Sequence, residues 1–460
     1  MIKVNDEIEL TIEKLTYKGL SLARHYEDEK GFVVFVKGGA PEDKVKAKIT
    51  KVNKNYATGE IVEIIKPSKY RVKPFCPLFN ACGGCCFQYV DYDFLLEQKN
   101  NMLKEAFLQL DYEVEFKEPK KSLKDKQYRH KVQYRVSETK NSKRLLVGYY
   151  REKTHDIVNI KYCPIQPPLA DEMAQFLRDN WRLGAYVEKT GKGLLKSFVV
   201  RFSLDIKSAL VTLVLNVSYE DFPRYKDEII DYSKKMREKF PQISSFALNF
   251  NPQKNNCILS NEYEYLDEQN YILENLNSPD GTKKTYKISH DSFFQVNPYC
   301  SVSIFDEVKE NITENSTLLD AYGGVGAIGV WASDRAGKIY LVEENSQAVN
   351  DAKYNFKIND CKNYEVFLGD AKVKFAQFLK EKKKFGSIVI DPPRKGSDKE
   401  ALDAISKLSD LIIYVSCNPQ TLVRDLKYLD TLGFRAVSTR AFDMFPYSYH
   451  IESVTVIKRV

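Results

Sequence analysis

The sequence predicts a chain of the α/β class with three parts, and each part shows its own pattern. Residues 1–66 contain short alternating stretches separated by turn residues, which predict a small β-barrel of the OB-like kind. Residues 281–460 alternate apolar runs of strand length with helical segments, which predict a Rossmann-like domain with a parallel sheet covered on both faces. Residues 67–280 mix strands with helices in no regular order, so we expect a central α+β domain there.

The strand pattern of the first part is punctuated by turns. Residues 7–15 and 43–49 alternate apolar and polar side chains, and residues 31–37 contain Phe-Val-Val-Phe-Val followed by Gly-Gly-Ala-Pro. Residues 17–24, with the sequence Tyr-Lys-Gly-Leu-Ser-Leu-Ala-Arg, resemble the start of a TRAM domain, a small RNA-binding barrel. This resemblance implies that the first part of the chain binds RNA.

Composition excludes several classes of protein. Hydrophobic residues make up 43% and charged residues 29% of the chain, which is typical of a globular protein and not of a disordered one. The N-terminal residues lack the apolar core of a signal peptide, and no apolar run reaches the roughly 20 residues needed to cross a bilayer. We therefore expect a cytoplasmic protein without a membrane partner, in which the nine cysteines are reduced.

Basic residues are concentrated between residues 117 and 161. This stretch holds 14 Lys or Arg and 5 Asp or Glu, and Tyr128, His130, Tyr134, Tyr149 and Tyr150 lie among them. Charges interleaved with aromatic rings suit a nucleic acid, whereas the alternative is a solvated basic face. Because Arg129, Lys131 and Arg135 occupy alternating positions, we predict that they share one face of a strand and bind RNA phosphates.

A glycine-rich loop at residues 320–327 follows one apolar run and precedes a helical segment. Glu343 ends the next apolar run, where a carboxylate can accept the hydroxyl protons of a ribose. The alternatives are a dinucleotide site or a tight turn without a ligand. With Asp391-Pro392-Pro393-Arg394 further along, this order of residues resembles an S-adenosylmethionine-dependent methyltransferase.

Cys417 comes directly after the apolar run 411–415, which places its thiol at the edge of the sheet that carries the glycine loop. The alternative is an inert buried cysteine. A thiolate that adds to C6 of uracil makes C5 nucleophilic enough to take a methyl group, and a base must afterwards remove the C5 proton. His450 and Glu452 are candidates for that base and would share one face if their segment is a strand.

Four stretches together resemble the RNA uracil-5-methyltransferase family, and the bacterial ribosomal-RNA branch most of all. They are residues 289–297, 391–396, 416–419 and 443–452. The resemblance implies that Cys417 is the nucleophile, that Glu452 is the base, and that the enzyme is a monomer acting on 23S ribosomal RNA. It also implies that the ring of Phe293 packs near the target base and that five residues contact S-adenosylmethionine. The five are Gln295, Tyr322, Glu343, Asp370 and Asp391.

Cys76, Cys82 and Cys85 form a C-x5-C-x2-C pattern, and Cys163 precedes a proline far along the chain. Four thiolates suit either a tetrahedral zinc ion or a [4Fe–4S] cluster. The bacterial ribosomal-RNA branch, which this sequence resembles, binds a [4Fe–4S] cluster through cysteines at this spacing. We therefore expect these four residues to be the ligands of such a cluster. Cys86 has no assigned partner.

Three other functions stay open from the sequence. The same reaction could take place on transfer RNA. An RNA cytosine-5-methyltransferase would use similar chemistry, although many carry a second cysteine in the motif that here reads Asp-Pro-Pro-Arg. A non-catalytic RNA-binding assembly factor could have kept the fold. The resemblance also implies that the helix expected near residues 92–110 packs against the catalytic domain.

Overall fold

The computed structural model describes residues 2–26, 29–254 and 257–460, and its first unit is a closed five-stranded barrel. The strands pair in the order β1-β2-β3-β5-β4, and β4 returns to β1. Their alternating apolar side chains point inwards and are buried, among them Val34, Val45 and Ala47. The strands are β1 (Glu7–Leu15), β2 (Ser21–His25), β3 (Phe32–Lys37), β4 (Lys44–Val52) and β5 (Tyr56–Lys66). The predicted small barrel is confirmed.

Helix α1 (Tyr92–Phe107) and strand β6 (Glu115–Lys120) follow the barrel. The side chain of Asp91 caps α1 by accepting a hydrogen bond from the Phe94 amide at 3.1 Å. The apolar face of the helix contributes Leu103, Ala106 and Phe107 to the core of the C-terminal sheet. Both elements therefore pack with the last part of the chain rather than with the central sheet that follows them in sequence.

A seven-stranded sheet forms the centre of the molecule, with the order β13-β12-β11-β10-β7-β8-β9. One face packs on two helices, and buried side chains such as Tyr134, Phe198 and Leu213 fill the space between them. The strands are β7 (Lys131–Glu138), β8 (Leu145–Tyr150), β9 (Ile157–Asn159), β10 (Leu195–Ser203), β11 (Ser208–Leu215), β12 (Ile243–Phe250) and β13 (Tyr263–Tyr265), and the helices are α2 (Pro168–Asn180), α3 (Lys226–Lys239) and a short 3-10 turn (Phe222–Tyr225).

A two-stranded hairpin, β14 (Tyr271–Asn277) with β15 (Lys283–Ser289), connects the central sheet to the C-terminal one. Its inner side chains, Ile272, Tyr286 and Ile288, are buried in the core of the C-terminal unit. The boundary at residue 280 that the sequence suggested thus falls in the turn of this hairpin. The reason is that a two-stranded hairpin cannot bury both faces alone and packs on its neighbours.

The C-terminal unit is an eight-stranded sheet of order β18-β17-β16-β19-β20-β22-β21-β6, with buried cores on both faces. Its central strands are parallel, and β22 is antiparallel to both of its neighbours. This arrangement confirms the predicted Rossmann-like architecture. The strands are β16 (Thr317–Ala321), β17 (Lys338–Glu343), β18 (Tyr364–Leu368), β19 (Ser387–Ile390), β20 (Leu411–Ser416), β21 (Phe434–Phe442) and β22 (Glu452–Arg459), and the helices are α4 (Pro298–Asn311), α5 (Ala327–Trp331), α6 (Ser346–Ile358), α7 (Ala371–Lys380), α8 (Lys399–Leu408) and α9 (Pro419–Asp430).

Within the described ranges, no helix combines the length and the apolar character needed to cross a bilayer.

Candidate active site

The glycine-rich loop lies between β16 and α5, where the strand order of the C-terminal sheet reverses. Ligands of open α/β sheets bind at such a point, beyond the carboxyl ends of the strands. A Cβ atom added to Gly323 would lie 2.5 Å from Cγ of Leu341, so no other residue fits there without a shift. Tyr322 has a φ of 61°, which is unusual for a large side chain and marks a specialised loop.

Glu343, at the end of β17, holds this loop in place with both of its oxygens. Its Oε2 accepts a hydrogen bond from the Gly324 amide at 3.0 Å, and its Oε1 accepts one from the Asn345 amide at 2.8 Å. Each carboxylate oxygen has a second lone pair. The carboxylate can therefore bind ribose hydroxyls while it keeps the loop closed.

Asp391 and Gln295 meet beside the same edge of the sheet. Asp391 follows β19, and Nε2 of Gln295 donates a hydrogen bond to its Oδ2 at 3.5 Å. Burial raises the pKa of Asp391 to about 7. Asp370, by contrast, is exposed and caps helix α7 by accepting hydrogen bonds from the amides of Lys372 and Val373. The structure thus brings Gln295 and Asp391 together and shows a capping role for Asp370.

Cys417 and Glu452 lie at adjoining ends of two antiparallel strands. Cys417 follows β20, Glu452 begins β22, and Ser416 is directly opposite Ser453 in the ladder. Continuing this register by one residue sets Cys417 opposite Glu452. Residues at opposite positions have Cα atoms about 4.5–5.5 Å apart. The two residues are therefore neighbours at the edge that carries the glycine loop.

The charges around this pair act in opposite directions. Burial raises the pKa of the Cys417 thiol to about 12, and the carboxylates of Glu452 and Asp391 raise it too, whereas the guanidinium of Arg394 lowers it. Burial and Asp391 also raise the pKa of Glu452 well above its ordinary value, and Arg394 again opposes them. Burial therefore disfavours the anionic form of both groups, and Arg394 favours it.

His450 lies outside the strand that begins at Glu452, so the condition for a shared strand face is not met. Residues 443–451 form a loop, and the strand begins only at Glu452. The imidazole lies 4.3 Å from the ring of Tyr449 and 5.6 Å from that of Phe445. Burial and the charge of Arg394 lower the pKa of His450 to about 4, so the ring is neutral.

A buried ion pair that the sequence analysis missed holds this loop against α1. Nζ of Lys99 lies 2.6 Å from Oδ1 of Asp443, and both side chains are fully buried. The same ammonium group donates a hydrogen bond to the carbonyl of Phe445 at 3.0 Å. One signal was present in the sequence: Lys99 stands four residues after Leu95 and four before Leu103, on the apolar face of the helix.

Phe293 projects from the loop between β15 and α4 with 64% of its surface exposed, whereas the adjacent Phe294 is buried. The central sheet and helix α6 of the C-terminal unit both anchor this loop. Arg201 of the central sheet donates a hydrogen bond to the carbonyl of Ser292 at 2.6 Å, and Asp351 of α6 accepts one from the hydroxyl of Ser292 at 2.6 Å. The exposed ring is thus held on a rigid support.

The four predicted cluster cysteines line one cavity of about 400 Å³ beside the central sheet. They are Cys76, Cys82, Cys85 and Cys163, and Gly83 and Gly84 line the same cavity. Burial raises the pKa of all four thiols, to about 11 for Cys85. Among the described residues, no group of three or more Cys, His, Asp or Glu side chains could hold a single metal ion. The thiols therefore surround a space rather than converge on one point.

Of the three basic residues expected to share one strand face, Lys131 and Arg135 lie in β7 and Arg129 precedes it. Arg129 lies before β7 and lines the cysteine cavity, and its Nε donates a hydrogen bond to the carbonyl of Lys131 at 3.1 Å. Lys131 begins the strand, where burial and the nearby Arg201 lower its pKa to about 7. Arg135 lies over the ring of Tyr150 at 5.3 Å. Lys131 and Arg135 thus share the face of β7 opposite the buried Val132 and Tyr134, and the binding of RNA phosphates by these residues stays a prediction.

Comparison with known proteins identifies relatives that match almost the whole chain. The family model described as tRNA (Uracil-5-)-methyltransferase matches residues 91–460, and that of the TRAM domain matches residues 2–62. An uncharacterised RNA methyltransferase of Caldanaerobacter subterraneus is 33% identical over 472 residues, which cover 100% of this chain and 99% of that protein. Another, of Oceanobacillus iheyensis, is 35% identical over 468 residues, which cover 98% and 96%.

A solved structure shares the fold. The crystal structure of Pyrococcus abyssi tRNA (uracil-54, C5)-methyltransferase in complex with S-adenosyl-L-homocysteine matches with a TM-score of 0.71 and 24% identity. The match covers 98% of this chain and 100% of that chain. The chain described here therefore belongs to the tRNA (uracil-5-)-methyltransferase family and is an S-adenosylmethionine-dependent RNA uracil-5-methyltransferase with a TRAM domain.

Proposed function

We propose that the enzyme methylates C5 of a uridine in 23S ribosomal RNA through a covalent adduct between Cys417 and C6 of the base. The observation that carries the proposal is the pairing of Ser416 with Ser453, because Cys417 and Glu452 are the next residues at that end of β20 and β22. The same edge of the sheet carries the loop of Tyr322 and Glu343, the proposed cofactor site. A thiol, a carboxyl group and a methyl donor at one edge are the three components that the chemistry requires.

Cys417 begins the reaction by losing its proton to solvent, because the residue is partly exposed. Its thiolate forms a bond to C6 of uracil, and the electrons of the C5–C6 double bond move towards C5 and the O4 carbonyl. S-adenosylmethionine supplies the methyl group that C5 takes up. The carboxylate of Glu452 then removes the C5 proton, the double bond re-forms, and the C6–sulfur bond breaks with its electron pair returning to Cys417.

Arg394 supplies the charge that this cycle needs. Cys417 and Glu452 must both ionise, although burial disfavours both anions. The guanidinium of Arg394 lowers the pKa of both groups. The positive sulfonium of a cofactor bound nearby would act in the same direction.

Two variants test the covalent route on a denaturing gel with labelled RNA. Cys417→Ala should form no adduct and transfer no methyl group, because C5 then stays unreactive. Glu452→Gln should transfer the methyl group but retain the C5 proton, so that protein remains attached to RNA. His450→Gln tests the second candidate base, and RNA release by this variant with retention by Glu452→Gln would assign the base to Glu452. Methyl transfer by Cys417→Ala would disprove the adduct.

The choice of 23S ribosomal RNA over transfer RNA rests on the four cysteines, which resemble the ribosomal branch of the family. We expect the protein to act in the cytoplasm, because ribosomal RNA is modified in that compartment. We also expect it to act as a monomer. Ribosomal and transfer RNA from a strain lacking the gene should be incubated with tritiated S-adenosylmethionine and enzyme. Label in transfer RNA alone would show that transfer RNA, and not 23S ribosomal RNA, is the substrate. Mass spectrometry of RNA fragments would locate the methylated uridine.

The cavity lined by Cys76, Cys82, Cys85 and Cys163 fits a [4Fe–4S] cluster better than a single zinc ion. Four thiolates are the usual ligands of such a cluster. A single zinc ion requires all four sulfurs at about 2.3 Å from one point, whereas a cube of iron and sulfide is wider. The bound cluster would supply iron–thiolate bonds that join the segment around Cys82 to the segment around Cys163.

A further inference from the structure

A turn of the N-terminal barrel reaches the proposed active site. Residues 16–20 connect β1 to β2, and Thr16 closes the turn twice, since its amide and its hydroxyl both donate hydrogen bonds to the Leu20 carbonyl at 2.8 and 2.7 Å. Gly19 has a φ of 79°, which favours glycine. The turn is therefore a fixed structure and not a loose connection.

This turn packs on the loop that precedes Glu452. A Cβ atom added to Gly19 would lie 3.2 Å from Cβ of Cys86 and 3.5 Å from Cδ1 of Tyr449. The ring of Tyr17 meets that of Tyr449 edge to face, with 5.4 Å between centroids. The amide of Cys86 in turn donates a hydrogen bond to the carbonyl of Tyr447 at 2.9 Å. The turn of the barrel, the segment around Cys86 and the loop of residues 443–451 (the catalytic loop) thus meet at Tyr17.

The surroundings of Tyr17 include the reacting groups themselves. Burial raises the pKa of Tyr17 to about 12, and the charges of Cys417 and Glu452 raise it while that of Arg394 lowers it. The phenol is therefore neutral and can donate a hydrogen bond. In the part of the chain that the structure describes, no residue forms a hydrogen bond with its hydroxyl, and the side chain is only half-buried.

We propose that Tyr17 positions the RNA substrate: its ring forms one side of the pocket that receives the target uridine, and its hydroxyl forms a hydrogen bond to the nucleotide bound there. The ring provides a flat apolar face of the kind on which unstacked bases pack. The barrel would then complete the catalytic pocket in addition to binding RNA elsewhere. This inference rests on the proposed function, because it requires a uridine between Cys417 and Glu452.

The competing role for Tyr17 is packing alone, between the barrel and the catalytic loop. The two roles predict different results for the conservative variant. Tyr17→Phe keeps the ring and its contact with Tyr449, so a packing role predicts unchanged kinetics. A positioning role predicts that loss of the hydroxyl raises KM for RNA.

The experiment compares Tyr17→Phe and Tyr17→Ala with wild type, after wild type has been shown to methylate uridine. Tyr17→Phe should lower kcat/KM for RNA by about 3- to 10-fold, the size of one hydrogen bond. Tyr17→Ala should lower it by about 10- to 100-fold, because the stacking face is lost too. The Kd for S-adenosylmethionine should stay unchanged in both. Tyr219→Phe and Tyr219→Ala, at a half-exposed tyrosine next to Phe250 in the central domain, are the matched controls.

A crosslink keeps the inference testable if Tyr17→Ala fails to fold. Substrate RNA with 5-iodouridine at the methylated position is irradiated on the Cys417→Ser protein, which cannot form the adduct. We expect the crosslinked peptides to include the one that contains Tyr17. Crosslinks to the Phe293 peptide alone, or Tyr17→Phe kinetics within twofold of wild type, would overturn the positioning role. Absence of uridine methylation by wild type would instead reject the proposed function.

Discussion

Replacing Lys99 by methionine should loosen the loop that leads to Glu452. Lys99 lies 2.6 Å from Asp443, and neither side chain has any exposed surface. Methionine fills a similar volume but removes the charge, so Asp443 is left as a buried carboxylate without its partner. Removal of one member of a buried pair costs about 3–5 kcal/mol. We expect most of this loss to appear as local opening of residues 443–451, because the Lys99 bond to the Phe445 carbonyl is lost as well.

Hydrogen exchange of peptides covering this loop measures the effect. When opening is rapid and reversible, exchange rates follow the local opening equilibrium, and each 1.36 kcal/mol is a factor of ten. Protection in the Lys99→Met protein should therefore fall by about two to three orders of magnitude. Methyl transfer should slow in parallel, since the position of Glu452 depends on the loop that precedes it.

Two controls separate the buried charge from general damage to α1. Lys14→Met removes another 2.6 Å ion pair, with Glu105 of the same helix, but those side chains are 39% and 46% exposed. An exposed pair contributes less than about 1 kcal/mol, so protection should change less than about fivefold. The double variant Lys99→Met/Asp443→Asn should recover much of the protection, because no uncompensated charge remains. Unchanged protection in Lys99→Met, or an equal loss in Lys14→Met, would refute the reasoning.

Three further predictions follow from the sites described above. Anaerobically purified protein should contain about four irons per chain and absorb visible light. Cys163→Ser should lose most of the iron, whereas the control Cys257→Ser, at an exposed cysteine, should keep it. Stoichiometric zinc without iron would favour a tetrahedral zinc site. Arg394→Gln should slow adduct formation about tenfold or more at pH 7.5, because loss of its charge raises the pKa of the Cys417 thiol, whereas Arg394→Lys keeps the charge and should retain most of the rate. Equal losses in the two variants would assign Arg394 a structural role. Arg135→Ala should reduce the salt dependence of RNA binding by about 0.7–0.9 in slope, whereas Lys131→Met should reduce it less, because a pKa of about 7 leaves the Lys131 amine only partly charged at neutral pH; equal effects would show that both side chains contact phosphates as full charges.

Some parts of the fold and of the candidate site could be predicted because their signals are local. The alternation in residues 7–15 coincides with β1, and the apolar run 411–415 coincides with β20 within one residue. The position of Cys417 at a strand end also followed from the apolar run before it. In each of these cases, the period of the side chains or the turn chemistry is set within a few neighbouring residues.

Other parts depended on contacts between distant segments. The alternating pattern predicted Lys131 as a phosphate ligand, but in the folded chain burial and the charge of Arg201 lower its pKa to about 7. Strand β6 looked like part of the central domain, yet it pairs with β21, more than 300 residues later. Nothing in the local pattern of either segment distinguishes the two environments.

The sequence by itself determined the fold class and the strand and turn chemistry, and it indicated Cys417 and Glu452 as the candidate reactive residues. Only the tertiary structure decided that these two residues lie at adjoining strand ends, that Lys99 pairs with Asp443 across 344 positions, and that Tyr17 of the barrel packs on Tyr449. The physical reason is that backbone preference and side-chain period act over a few residues, whereas burial and the choice of partner depend on which distant segments pack together. The electrostatic state of the site is accordingly a property of the assembled chain.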